Sequence, residues 1–95
     1  MNIGTAIKDL RKKNQLSQAE LAGQCEMTQT ALSQIENGLR RPNESTLKRI
    51  AEQLKVPEIV IYLLATDDSD VPKEKLEMFK VVFPNVKNML LSILE

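Results

Sequence analysis

Gln29, Thr30, Ser33, Gln34 and Asn37 fall within nine consecutive positions and carry the chain's most telling chemistry. At 100° per residue they share one side of a helix, with Ala31, Leu32 and Ile35 on the other. A side that merely meets water should hold Lys or Glu in a chain that is 27% charged, but this one holds only amides and hydroxyls. Such groups both donate and accept hydrogen bonds, as the base edges in a DNA major groove require. The pattern points to a helix that reads DNA.

A helix this short depends on its neighbours for stability. Thr28 is placed to cap its start, it runs to about Asn37, and Gly38 stands where a helix-ending glycine belongs. Ahead of it, Ser17 and Glu20 form a capping-box pattern for another short helix, whose Leu21, Ala22 and Cys25 face inward. Met27 lies in the turn between the two. A first helix is predicted from its cap Asn2 to about Lys13, with Ile3, Ala6, Ile7 and Leu10 on one side. Arg11, Lys12 and Lys13 suit its negative end. Leu16 returns to the core from the connection. After the loop, Asn43 caps a fourth helix bearing Leu47, Ile50, Ala51 and Leu54. Val56–Pro57 ends it, and Pro57 opens a fifth that runs to about Leu64.

With 95 residues there is material for one core and a short appendage. Only three aromatics occur, Tyr62, Phe79 and Phe83, so that core must be aliphatic. Few glycines and prolines, and little strand-type alternation, make the fold class all-α. There is no histidine and a single cysteine, Cys25, at an apolar helical position. That argues against zinc and an internal disulfide and assigns Cys25 to packing. No phosphate loop, nucleophile–base pair or buried carboxylate cluster is present, so neither enzymatic activity nor a cofactor is expected. The apolar run Ile59–Ala65 is too short to cross a bilayer. The first residues lack a signal peptide's apolar core, so the protein is expected in the cytoplasm, away from membranes.

The net charge of zero divides unevenly. Residues 1–64 hold nine Lys/Arg and seven Asp/Glu; residues 65–95 hold four and six. Lys8, Arg11, Lys12 and Lys13 form one basic cluster and Arg40 with Arg41 another, enough for a local basic rim. Residues 1–65 make up the five-helix domain and 66–72, TDDSDVP, an acidic linker. Residues 73–95 form an extension of two helices, Lys73 to about Val82 and Asn85 to Leu94, parted by Pro84. The last bears Val86, Met89, Leu90, Ile93 and Leu94 at i, i+3, i+4, i+7 and i+8. This stripe must bury against something: its own domain, or the matching stripe of a second chain in a homodimer.

Over Ile3 to about Leu64 the sequence resembles the Cro/repressor (XRE-type) helix-turn-helix family, which includes lambdoid phage repressors. The resemblance rests on I-x-x-L-R at Ile7–Arg11, L-S-Q-A-E-L-A at Leu16–Ala22 and T-Q-x-x-L-S-Q-I-E-N-G at Thr28–Gly38. The run P-x-x-x-T-L-x-x-I-A-x-x-L from Pro42 to Leu54 completes it. It implies a five-helix, lambda-repressor-like domain whose third helix enters the major groove. By the same resemblance Gln29, Thr30, Ser33 and Gln34 are the base readers, Gln29 foremost because its amide can pair bidentately with adenine. Gln18 matches the residue that meets a phosphate beside helix N-terminal amides. Asn37, Arg40 and Arg41 would hold phosphates at the other edge, with Lys8, Lys12 and Lys13 as weaker candidates. Arg11 and Glu36 match a structural ion pair between the first and third helices. Where the family often has glycine in the turn, this chain has Glu26, and a left-handed backbone there would cost about 1 kcal/mol.

Two functions are compatible with this pattern. The first is a dimeric, sequence-specific transcriptional regulator, a repressor on a palindromic operator. The second is an antitoxin-type protein whose C-terminal helices hold a small protein partner while it also binds its own operator.

Overall fold

Capping side chains start the first four helices where the sequence places them. In the computed structural model, which describes residues 1–94, these are α1 (Ile3–Lys13), α2 (Gln18–Gln24), α3 (Gln29–Glu36) and α4 (Glu44–Leu54). Asn2 accepts from the Thr5 amide at 3.0 Å, Thr28 from Ala31 at 3.1 Å and Asn43 from Thr46 at 2.9 Å. Ser17 and Glu20 close a reciprocal capping box at 3.0 Å each way. Each cap contributes about 1 kcal/mol. The box holds the Glu20 carboxyl below its ordinary pKa, chiefly through the Ser17 backbone N–H.

All four helices also end alike, on a left-handed residue followed by an apolar one. The left-handed residues are Gln15, Glu26, Gly38 and Lys55, with φ of 59°, 58°, 76° and 61°. The amides of Leu16, Met27, Leu39 and Val56 then reach back to the carbonyls of Arg11, Ala22, Gln34 and Ala51 at 2.9–3.1 Å. This is the Schellman closure, normally completed by an apolar contact from the following residue. Leu16 and Met27 pack on the core and Val56 is buried within it. Leu39 is 79% exposed.

Helix α5 (Glu58–Ala65) follows Pro57 and packs mainly on α1, while α3 packs on α1 and α2. The centre is aliphatic: Ile7, Leu10, Leu21, Leu32, Ile35, Ile50, Leu54 and Ile61 are essentially sealed, with Cys25 among them. Burial raises the Cys25 thiol pKa. Each sealed Leu or Ile contributes about 1.5–3 kcal/mol. One contact is backbone on backbone. A Cβ at Gly4 would lie 2.7 Å from the Glu36 carbonyl oxygen and closer still to that of Ile35. Only glycine lets α1 approach the end of α3 so closely.

The C-terminal extension departs from expectation. Its two helices are one, α6 (Leu76–Ile93), which runs through Pro84. The proline removes one helical hydrogen bond, a penalty of about 3 kcal/mol. The helix is bridged locally: Phe79 and Phe83 stack at 4.5 Å on its N-terminal side, and the Asn85 amide donates to the Val81 carbonyl at 3.4 Å. Three leucines, Leu90, Leu91 and Leu94, then pack on the five-helix core. The apolar stripe is therefore divided. Leu90 and Leu94 turn inward, whereas Val86, Met89 and Ile93 remain exposed.

Residues 66–72 are tied down rather than slack. Asp68–Asp70 form a 3-10 turn, and the Met1 α-amino group pairs with Asp67 at 2.9 Å and Asp70 at 3.1 Å. The Ser69 hydroxyl, and after it that amine, draw the Asp67 carboxyl down to about 2.

Candidate nucleic-acid interface

The helix-turn-helix itself is α2, the Cys25–Met27 turn and α3. α2 packs against α3, with Leu21 and Ala22 of the one buried and Leu32 and Ile35 anchoring the inner side of the other. Glu26 takes the left-handed conformation at the turn, and Thr28 immediately caps α3. The N-terminus of α3 therefore emerges at a fixed angle, with Gln29 and Thr30 in its first turn.

Gln18, Gln29, Thr30, Ser33, Gln34, Asn37 and Leu39 line one open hollow of about 300 Å³. Four of the sequence-derived candidates, Gln29, Thr30, Gln34 and Asn37, are exposed there, and Ser33 and Gln18 are half-buried. The Asn37 amide donates to the Ser33 hydroxyl at 3.4 Å. Gln18 sits at the first position of α2, and its amide donates to Glu36 at 3.1 Å. That bond leaves one N–H and the amide oxygen available on the hollow's rim.

Beneath the hollow lies a buried polar network. Arg11 Nε donates to Glu36 Oε2 at 2.8 Å and Nη2 to Oε1 at 3.0 Å, while Nη1 donates to the Leu16 carbonyl at 2.8 Å. Both side chains are almost fully buried. A bidentate, charge-assisted pair fixes angle as well as distance. It joins α1, the α1–α2 connection, α2 through Gln18, and the last residue of α3.

Arg40 and Arg41 are exposed on the loop after α3 but line a second cleft, of about 180 Å³, on the flank bearing Met27, Ala31 and Ile35. Arg49 of α4 lines it too. Its Nη2 reaches the Thr46 hydroxyl at 3.5 Å, and its buried Nε has no partner. None of the three arginines forms an ion pair among the described residues. Lys8, Lys12 and Lys13 lie on α1 and line neither hollow. Two residues here escape a sequence reading. Arg49 looks like an ordinary solvated arginine on an amphipathic helix. Leu39 gives no signal until its turn is compared with the three others, where the equivalent residue tucks inward.

An outward polar helix clamped by its neighbours defines the class, and comparison with known proteins agrees. The family model described as helix-turn-helix matches residues 7–61, so the chain belongs to the helix-turn-helix family, of the XRE type. It is similar to the ImmF control region 10 kDa protein of Bacillus phage phi105, 49% identical over 49 residues, covering 52% of this chain and 54% of the relative. It is also similar to an uncharacterized HTH-type transcriptional regulator of Mycobacterium tuberculosis, 36% identical over 62 residues, covering 65% of this chain and 44% of the relative. The chain thus spans about half the length of the curated relatives it matches. No solved structure matches it significantly.

Proposed function

We propose that this chain is a sequence-specific DNA-binding regulator of transcription, a repressor that sits as a homodimer on a palindromic operator. The observation that carries this reading is the hollow on α3. Neutral amides and hydroxyls gather there, most of them exposed, on a helix held by its core side, its cap and its buried ion pair. In this role Gln29, Thr30, Ser33 and Gln34 read base edges, and Gln29 pairs with adenine N6 and N7. Gln18 and Asn37 hold phosphates at the two rims of the hollow, and Arg11–Glu36 sets its floor. Leu39 supplies the apolar contact, to a thymine methyl or a deoxyribose. Arg40 and Arg41, with Arg49 beside them, take the backbone along the flank, while Lys12 and Lys13 add long-range attraction. The Mycobacterium tuberculosis relative, named as an HTH-type transcriptional regulator, supports the direction of this reading.

One short helix gives modest affinity, and linking two copies multiplies it through effective concentration. A two-fold dimer spaces the reading helices about 34 Å apart, one turn of DNA. Selection of bound sequences from random DNA tests function and symmetry together: the expected product is an inverted repeat with that spacing. Enrichment of nothing beyond the starting pool overturns the proposal. Within the selected site, Gln29→Ala should cost about 1–3 kcal/mol and relax preference at one base pair. Equal weakening on selected and random DNA removes Gln29 from the readers.

A further inference from the structure

The exposed side of α6 is longer than its last two turns. Met78, Val82, Val86, Met89 and Ile93 all face outward, and Met78, Met89 and Ile93 each expose at least two thirds of their surface. At 100° per residue the five lie within an arc of about 80°, and Glu77, Lys80 and Lys87 stand at least about 100° outside it. A charge-free apolar band thus runs along an 18-residue helix, about 27 Å long. With its five side chains 43–78% exposed, the band offers on the order of 500 Å². With the exposed Val81 beside it, it comes within reach of the roughly 800 Å² per partner of a specific interface. A contiguous apolar patch of this size lies at the upper end of what a monomer exposes, where such patches are often functional.

We propose that the occupant is α6 of a second copy, lying antiparallel across a two-fold axis between Asn85 and Val86. The inference rests on the homodimer proposed above and assigns its geometry. Two observations select the antiparallel arrangement. The band's two outer pairs, Met78 with Val82 and Met89 with Ile93, are each four residues apart and are separated by seven, a spacing that is the same in both directions. Reversed on itself, the band sets Met78 against Ile93 of the second copy and Val82 against Met89, and brings the Val86 of each copy beside the axis, opposite Asn85 of the other. The two ends of the helix also differ in shape. Near Met78, the side chains of Val71, Lys75, Met78, Phe79, Val82 and Phe83 surround an almost wholly apolar hollow of about 250 Å³. The stacked rings of Phe79 and Phe83 contribute to its wall. At the other end Ile93 protrudes, 78% exposed. Antiparallel pairing seats each Ile93 over the other copy's hollow. Parallel pairing would set Ile93 on Ile93 and leave hollow facing hollow.

Cysteine cross-linking in the full chain tests this, because the native Cys25 is sealed in the core and the wild type serves as the unlinked control. Val86→Cys should form a disulfide-linked dimer with itself under mild oxidation. Met78→Cys and Ile93→Cys should link only when the two variants are mixed and allowed to exchange. Efficient self-linking of Met78→Cys or Ile93→Cys alone means a parallel pair and overturns the proposal. A dimer by light scattering with no cross-link places the interface elsewhere and also overturns it. A monomer at high concentration, or a small protein copurifying on this band, defeats the homodimer reading itself. Circular dichroism on each variant separates these outcomes from unfolding. As an independent measurement, Val82→Asp with Met89→Asp should weaken dimerisation at least 100-fold without loss of helix content, and an unchanged dimer refutes the assignment.

Discussion

The outward faces argued for α3 and α6 are both free of charge in a chain more than a quarter charged, yet their chemistry suits opposite partners. On α3 the neutral residues are amides and hydroxyls, already hydrated and able to exchange water for base edges. On α6 they are Met, Val and Ile, which gain only by leaving water. The mounting differs in the same sense. Helix α3 is fixed by Leu32, Ile35, a bidentate ion pair and a backbone contact at Gly4. Helix α6 is held to the core by three half-buried leucines. An uncharged surface is therefore not one signal but two. The chemistry of the neutral groups and the rigidity beneath them decide which is meant.

The largest expected effect removes the mount of α3. Glu36→Ala strands a buried guanidinium and should cost about 3–5 kcal/mol in stability, read by urea unfolding. A loss under 1 kcal/mol would show that α3 needs no such anchor and would erase the contrast with α6. Next, an acidic pair placed on each surface should separate their roles. Gln29→Glu with Ser33→Glu should reduce operator binding by about three decades or more while leaving dimers intact. Charge on α6 should instead dissociate dimers and lower operator affinity about 10²–10⁴-fold through lost avidity. If both pairs abolish DNA binding in isolated monomers, the division of labour fails. A smaller effect concerns Leu39. Replacing individual operator thymines by deoxyuridine should weaken the wild type at one position but leave Leu39→Ala unmoved there. Equal sensitivity in both proteins assigns Leu39 to the sugar. The smallest effect is in acid. Glu20 has a folded pKa below its unfolded 4.5, so its contribution is fully present above pH 4.5 and fades as pH falls through the folded value. Glu20→Gln should flatten the stability curve below pH 4.5, and an unaltered curve would mean the capping box is not held in solution.

Local signals carried much of the fold. Asn2, Ser17, Thr28 and Asn43 are residues whose side-chain oxygens suit helix starts, and each does so over three residues, a range a sequence reading can see. Gly38 is legible for the same reason. Gln15 and Lys55 are not, because nothing in a long polar side chain announces a left-handed backbone that the Schellman closure imposes. Gly4 is silent too: its meaning lies in a carbonyl more than thirty positions away. The continuity of α6 through Pro84 reverses the ordinary expectation, since local stacking and docking outweigh one missing bond. The division of the terminal stripe depends on which leucines find the core, and periodicity alone cannot sort inward from outward along one broad apolar side. For the candidate interface, residue type marked Gln29 to Asn37. Arg49 joins Arg40 and Arg41 only through the packing of α4 on the domain.

The close approach at Gly4 has a consequence for how this domain can change. Because the contacts that set the tilt of α3 lie on its inner side, main chain against main chain at Gly4, substitutions on its outward surface leave its aim untouched. Under the proposed function, specificity can drift, or be redesigned, by exchanging four or five residues on a stationary platform, without a compensating adjustment in the interior.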